Sequence, residues 1–168
     1  MTASLQQFLE STFNRVEVAV LRDGRMSVSA PAESIPIVLR HLKEHGLNHL
    51  ALVSCVDWIE DGTLELVYLL TCYMPNTTHD TPGQTLHVLL KTRVPRETAA
   101  LASVIDVFEN AEPYEREIHE LFGVDFHGHP RLVPLFLERH YDIPPFRKEF
   151  DTRKYVQETF DRIPSVET

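Results

Sequence analysis

The sequence predicts an α+β fold: a mostly antiparallel sheet with helices packed on it, then an extended C-terminal arm. Three observations carry this. Alternating apolar runs flank an Asp23-Gly24 turn, three strand-like segments follow one another between residues 49 and 91, and amphipathic helical stripes stand before and after them. The expected division is a domain over 1–134 and an arm over 135–168.

In chain order, Leu5, Phe8, Leu9 and Phe13 recur at helical spacing and predict a short helix over 3–14. Val16, Val18 and Val20, then Met26, Val28 and Ala30, alternate about Asp23-Gly24 as a hairpin does. A second helix is expected over 33–45, with Ile35, Val38, Leu39 and Leu42 on one stripe, Ser34 as N-cap and Gly46 just past the end. His41 and His45 sit toward that end, where their partial positive charge favours a capping role. HLALVSCVDWI, residues 49–59, is almost continuously apolar and reads as a strand buried on both faces. Asp61-Gly62 turns the chain into a strand over 64–73, MPNTTHDTPG reads as a polar loop, and Leu86, Val88 and Leu90 alternate in a third long strand. A helix is expected over 97–109.

Length and composition exclude several classes. The 168 residues suit one domain with one core, and 43% hydrophobic against 24% charged residues is an ordinary globular balance. No apolar run approaches the roughly 20 residues needed to cross a bilayer. The start MTASLQQFLESTF lacks the basic flank and cleavage site of a secretory signal, so the expected place is the cytoplasmic side. A net charge of −9 argues against free nucleic acid or an anionic lipid surface as partner. Residues 1–138 hold ten Lys/Arg against nineteen Asp/Glu, whereas 139–168 hold six against six, so the arm differs electrostatically from the body. Cys55 and Cys72, both inside apolar runs, make no disulfide framework and fall short of the four thiolates an iron–sulfur cluster needs.

EPYEREIHELFGVDFHGHPRL carries the most information. At about 100° per residue, Tyr114, Ile118, Leu121 and Phe122 share one arc of a helix, with Glu115, Arg116, His119 and Glu120 assigned to the other side. Glu112, Arg116 and Glu120 are spaced for i,i+4 ion pairs, and Gly123 marks the helix end. Gly128, His129 and Pro130 then specify a fixed backbone path. A charged helix beside such a loop reads as a docking surface. In the tail, Pro144-Pro145 enforces an extended path, and Phe146, Phe150, Tyr155 and Phe160 alternate with charges as in an arm ordered by a neighbour.

Glu115-Arg116-Glu117, Glu120-Leu121-Phe122-Gly123, Phe126, Gly128-His129-Pro130 and Leu132 resemble the signature of the complex I 30 kDa subunit, the C-type subunit of NADH:quinone oxidoreductases. That family includes counterpart subunits of membrane-bound energy-converting nickel–iron hydrogenases and related archaeal complexes. The likeness takes in VSCVDW, LVYLLTCY and Pro145-Phe146-Arg147-Lys148-Glu149-Phe150, and so covers roughly 45–150. Many respiratory members carry two arginines and Ile-Leu where Val133-Pro134-Leu135-Phe136 stands here, a form more like the hydrogenase or archaeal branch.

The resemblance implies position, not catalysis. It implies a cofactor-free structural subunit of a peripheral arm that passes electrons to quinone, or to protons, with ion translocation. The implied partners are a large quinone-site or nickel–iron-site subunit (D-like), a small cluster-bearing subunit (B-like) and a ferredoxin-like subunit (I-like). It assigns the subunit interface to Glu115, Arg116, Glu117, Glu120, Gly123, Gly128, His129, Pro130, Arg147 and Lys148, with no catalytic, cofactor or metal residue. Two rivals stand beside it. A metal-dependent hydrolase would use His119, His127 and His129 with Glu117 and Glu120, although no helical spacing fixes all three histidines. A free-standing adaptor would share the binding logic without the redox context. Nucleotide-binding glycine motifs are missing from the sequence.

Overall fold

A computed structural model describes residues 2–22, 24–73, 85–138 and 141–159. Asp23, the predicted polar loop at 74–83 and Phe160 lie outside the described residues. The order is α1 (Thr2–Thr12), β1 (Glu17–Arg22), β2 (Arg25–Ser29), α2 (Ile35–Glu44), β3 (His49–Trp58), β4 (Thr63–Tyr73), β5 (Thr85–Pro95), β6 (Ala100–Ala102), α3 (Glu112–Phe122), β7 (Asp125–His127) and α4 (Thr152–Thr159). The main sheet runs β1-β2-β5-β4-β3 and is antiparallel except between β2 and β5. The expected α+β class is the observed one.

Alternation explains the layering. Met26 and Val28, Leu50, Val53 and Cys55, Leu64 to Leu70 at every second residue, and Leu86, Val88 and Leu90 all turn to one face. The buried stripe of α2 (Ile35, Val38, Leu39, Leu42) and Ile118 of α3 close that face into a single core. Gly46, at φ +93°, ends α2: its N–H donates to Lys43 O and that of Leu47 to Leu42 O, both 3.0 Å, the paired bonds of a Schellman cap. His45 Nδ1, 2.7 Å from His41 O, serves a carbonyl of the last turn, whereas His41 Nδ1 lies 2.9 Å from Ile37 O, in the first turn of the helix.

Four expectations are corrected. Ser34 makes no side-chain cap and lies in a 3-10 turn over Ala32–Ser34. β3 is not buried on both faces: it is an edge strand, and Leu52, Val56 and Trp58 on its outer side are each more than a third exposed. Its continuous apolarity reflects one covered face and one open apolar face. Residues 97–109 form no helix; they hold β6 and turns, because Leu101 pairs in parallel with Phe126 of β7 and both side chains are buried. Non-local pairing overrides the helix propensity of this alanine-rich run. The C-terminal segment is not extended throughout, since 152–159 is helical.

Candidate functional site

The site is built outward from α3. Pro113 occupies the first turn, where its missing N–H costs nothing, and Gly123 closes the helix at φ +72°, donating to His119 O at 2.9 Å. Glu115 is the first surprise: it is fully buried, not on the charged face. Its Oε2 accepts from Ser103 Oγ and its Oε1 from the Val104 N–H, both at 2.7 Å. Burial pushes its carboxyl up, opposed by those two hydrogen bonds and by the nearby His129. A signal for this existed, since Glu115 lies only about 20° beyond Phe122 on a helical wheel and so borders the apolar arc.

Arg116 and Glu120 grip the same loop from both sides. Arg116 donates to Val133 O (3.0 Å) and Pro134 O (2.9 Å) and keeps the expected pair with Glu112 at 3.2 Å. Glu120, expected to pair with Arg116, instead accepts the N–H groups of Leu135 (3.2 Å), Phe136 (2.9 Å) and Leu137 (2.7 Å). On this loop both side chains bind backbone alone, so the clamp does not depend on the side chains at 133–137. Val133 and Phe136 turn outward, 38% and 65% exposed, while Leu135 and Leu137 are half-buried. His129 Nδ1 accepts the Arg131 N–H at 3.0 Å and Nε2 lies 3.4 Å from Glu112 O, which fixes the bend after Gly128, itself at φ +86°. Glu117 is half-buried and Pro130 exposed.

A strap, residues 141–150, returns to the same end of α3. The Phe146 N–H donates to Leu121 O (3.0 Å), and Arg147 donates to Phe122 O (2.8 Å) and Arg96 O (3.0 Å), so a cation caps the carbonyl end of the helix. Phe146 packs edge-on to Phe122, centroids 5.7 Å apart, yet remains 58% exposed. Buried Asp57 takes a bidentate grip from Arg96 (2.7 and 2.9 Å) and the Lys148 N–H at 2.9 Å, while Arg96 also binds Glu149. Burial pushes the Asp57 carboxyl up, but the Arg96 hydrogen bond, the Lys148 N–H and the charges of Arg96 and Arg147 outweigh it and hold the group below the usual range. A Cβ on Gly123 would stand 2.9 Å from Pro144 Cγ and 3.3 Å from Arg147 Nη2, so the strap needs the bare backbone there.

Asp57, Arg96 and Glu149 were missed by sequence reasoning. The signal was Asp57 itself, an acid on the inward phase of β3 after Val53 and Cys55, which demands a partner. Between α3, the clamped loop and the strap lies a cleft of about 370 Å³, lined by His119, Gly123, Pro134, Leu137, Glu138 and Tyr141 among others. The rival metal set does not converge: His119 Nδ1 lies 2.8 Å from Val124 O, His127 Nδ1 lies 3.6 Å from Asp125, and His129 is bound as above. Among the described residues no group of three His, Cys, Asp or Glu is placed to hold a metal. The buried Cys55 thiol is pushed up to about 12 by burial, then by the Asp57 charge, with Arg147 opposing, which disfavours its thiolate form. Cys72 is half-buried, and both are free thiols. No helix among the described residues is long and apolar enough to cross a membrane.

The family model of the respiratory-chain NADH dehydrogenase, 30 Kd subunit, matches residues 28–156, from β2 into α4 and across the whole site. The chain belongs to that family. Over 105 residues it is 38% identical to the C-type subunit of F(420)H(2) dehydrogenase from Methanosarcina mazei, covering 62% of this chain and 61% of that one. It is 31% identical to the C-type subunit of NADH-quinone oxidoreductase from Phenylobacterium zucineum over 89% of this chain and 66% of that one. It thus spans less than two thirds of the length of either relative. Among solved structures, a chain of the membrane-bound sulfane sulfur reductase, an archaeal respiratory membrane complex, superposes with TM-score 0.80 at 29% identity, covering 99% of this chain and 94% of that one. The trypsin-resistant fragment of Nqo5 superposes at 0.61 with 26% identity, covering 79% and 100%. This 30 Kd-type subunit therefore shares its fold with components of multisubunit respiratory complexes.

Proposed function

We propose that the chain is a cofactor-free structural subunit in the peripheral arm of a complex I-like oxidoreductase, held on the cytoplasmic face of the membrane. In this reading it buttresses a large D-like subunit that forms the quinone or nickel–iron site, beside a small B-like cluster-bearing subunit and an I-like ferredoxin-type subunit. Its part in electron transfer and ion translocation is to hold those neighbours at fixed separation. The observation that carries the reading is the clamp of Arg116 and Glu120 on 133–137 beside the strap at 141–150. Charged groups that commonly dress a surface are here spent on backbone, which leaves Val133, Phe136, Ile143 and Phe146 held rigidly in solvent. Rigid exposed aromatics beside a cleft are the anchors of a protein interface. Glu115, Arg116, Glu120, Gly123, Gly128, His129 and Arg147 shape this surface from beneath or within, while Glu117, Pro130 and Lys148 border it.

The branch is favoured by two observations: Val133-Pro134-Leu135-Phe136 replaces the paired arginines, and the sulfane sulfur reductase component superposes over nearly the whole chain. A membrane-bound assembly with an acceptor other than quinone, such as a nickel–iron hydrogenase, is the second reading. Tagged chain isolated from gently solubilised membranes should bring down a large subunit and cluster-bearing companions. Phe136→Glu should cut that yield several-fold while the free chain melts at an unchanged temperature, because the side chain touches little within its own fold. Recovery of the chain alone, with a bound redox centre or substrate turnover of its own, overturns the proposal.

A further inference from the structure

The five-stranded sheet ends in two unlike edges. β1 is blunted: Glu17 and Arg22 stand at its ends, and a bulge interrupts its pairing between Val20 and Arg22. Both devices discourage a further strand. β3 is the longer edge, at ten residues, and its beginning is also closed. Asn110 Nδ2 donates to Leu50 O at 2.8 Å and the Tyr114 hydroxyl to Ala51 O at 3.1 Å, beside the bulge between Leu50 and Leu52. Past that point the closure stops. Among the described residues, no hydrogen bond reaches the backbone of 52–58 other than those of its ladder with β4.

Side chains along this open stretch alternate. Val53, Cys55 and Asp57 are buried on the core side, whereas Leu52, Val56 and Trp58 on the other side are 37%, 38% and 39% exposed. The register carries the apolar surface inward: Leu52 stands opposite Leu69, which stands opposite Leu89, and Ser54 stands opposite Val67. The charges of this face answer one another, Arg93 with Asp61 (3.0 Å) and Glu65 (3.1 Å), and Lys91 with Glu65 (3.9 Å). Asp57, the one acid of the strand, turns inward to Arg96. From 52 to 56 the edge therefore has no charge, no proline and no bulge to keep another strand away.

We propose that β3 receives an extended segment of a neighbouring polypeptide of the assembly, paired along 52–58 as a sixth strand. The inference rests on the proposed place of the chain in such an assembly and names the geometry of one of its contacts. Unpaired N–H and C=O groups at an edge select an extended backbone, and side-chain pairs beside the edge select its sequence. The occupant spans about five to seven residues, at about 3.3 Å each, with apolar or β-branched side chains opposite Leu52 and Val56. A second copy of this chain fits less well. Edge-to-edge pairing would set two acidic bodies side by side, each with nineteen Asp/Glu against ten Lys/Arg over 1–138. A neutral or basic neighbour meets no such repulsion.

Amide hydrogen exchange on the free full chain and on the purified assembly tests this without any substitution. In the free chain, alternate amides of 52–58, those turned away from β4, should exchange fast while their neighbours stay protected. In the assembly the fast set should slow about 100-fold or more. An unchanged fast set within an intact assembly overturns the added strand and leaves the assembly standing. Recovery of the tagged chain alone removes the assembly and the inference together. Val56→Lys places a charge on the open side of the edge, where the side chain is exposed. It should leave the melting temperature of the free chain nearly unchanged and weaken retention of the other subunits about ten-fold. Val56→Thr, β-branched and uncharged, should restore most of that retention. Wild-type retention of Val56→Lys overturns the proposal. So does a free chain that sediments as a dimer with the fast set already protected, which assigns the edge to a second copy.

Discussion

The covered face of the sheet and the segment from Val124 to Phe150 lie side by side, yet different forces hold them. Beneath the sheet, hydrocarbon does the holding: Leu66, Leu70, Val88, Leu90 and the α2 stripe are sealed from water. Beyond α3, buried apolar side chains become scarce, and the chain is instead pinned by carboxylates and guanidinium groups on backbone amides and carbonyls. Apolar burial is indifferent to pH and tolerant of loop sequence; polar pinning gives an exact backbone path and leaves side chains outside free for another use. The difference teaches how a small domain presents aromatics to a neighbour without collapsing onto them.

Breaking the apolar side has the largest expected effect. Leu66→Ala opens a cavity beneath the sheet and should destabilise the whole domain by about 2–5 kcal/mol. Chemical denaturation should show one cooperative shift, with the clamp and strap lost together with the core. If amides of 141–150 keep their protection while β4 unfolds, the two regions are independent and the comparison is wrong.

Next in size is the polar side. Arg96→Met leaves the Asp57 carboxylate, only 2% exposed at its side chain, with the Lys148 N–H alone, an expected loss of roughly 2–4 kcal/mol. The expected pattern is selective: amides of 144–148 should exchange much faster, and those of β4 and β5 much less so. Acid should mimic this. Because the folded Asp57 is held below its ordinary range, its stabilisation is present above about pH 3.9 and is lost as pH falls through the lower folded value. Strap amides should therefore open before core amides on acidification, whereas in Arg96→Met they should already exchange fast at neutral pH and gain little more in acid.

Gly123→Ala sharpens the boundary between the regions. Its φ of +72° disfavours a side chain, and the new methyl would press on Pro144 and Arg147. A loss of about 1–2 kcal/mol is expected, read as faster exchange at the Phe146 N–H, with the α3 interior protected as before.

Legibility followed the same division. The hairpin, the strand alternation, the α2 stripe with Gly46 and the end of α3 at Gly123 are local patterns, and each stands where the sequence places it. What escaped depends on distant residues. β6 exists because Leu101 meets Phe126, and Asp57 reaches Arg96 at a separation of 39 residues, which in turn meets Glu149 at 53. No spacing rule links positions so far apart. At the site, the charged helix was visible but the direction of its charges was not: Glu120 looked like a partner for Arg116, yet the loop amides offer it three donors at once.

Glu115 tests the border where one force hands over to the other, and its substitution has the smallest expected effect. It is a carboxylate inside the apolar region, satisfied by Ser103 and Val104 but raised by burial above its ordinary range. A raised carboxyl means the folded state binds protons more readily than the unfolded one. Its charge therefore detracts from stability increasingly as pH rises from about 4.3 through the higher folded value, the reverse of Asp57. Glu115→Gln keeps an acceptor for the Val104 N–H without the charge, so stability at pH 7 should change by only about 1 kcal/mol or less. The pH profile is the sharper readout: the variant should lose the decline that Glu115 contributes above about pH 4.3 while retaining the acid limb that belongs to Asp57. A profile unchanged on that upper limb would mean that the Ser103 and Val104 bonds already offset the burial of the charge.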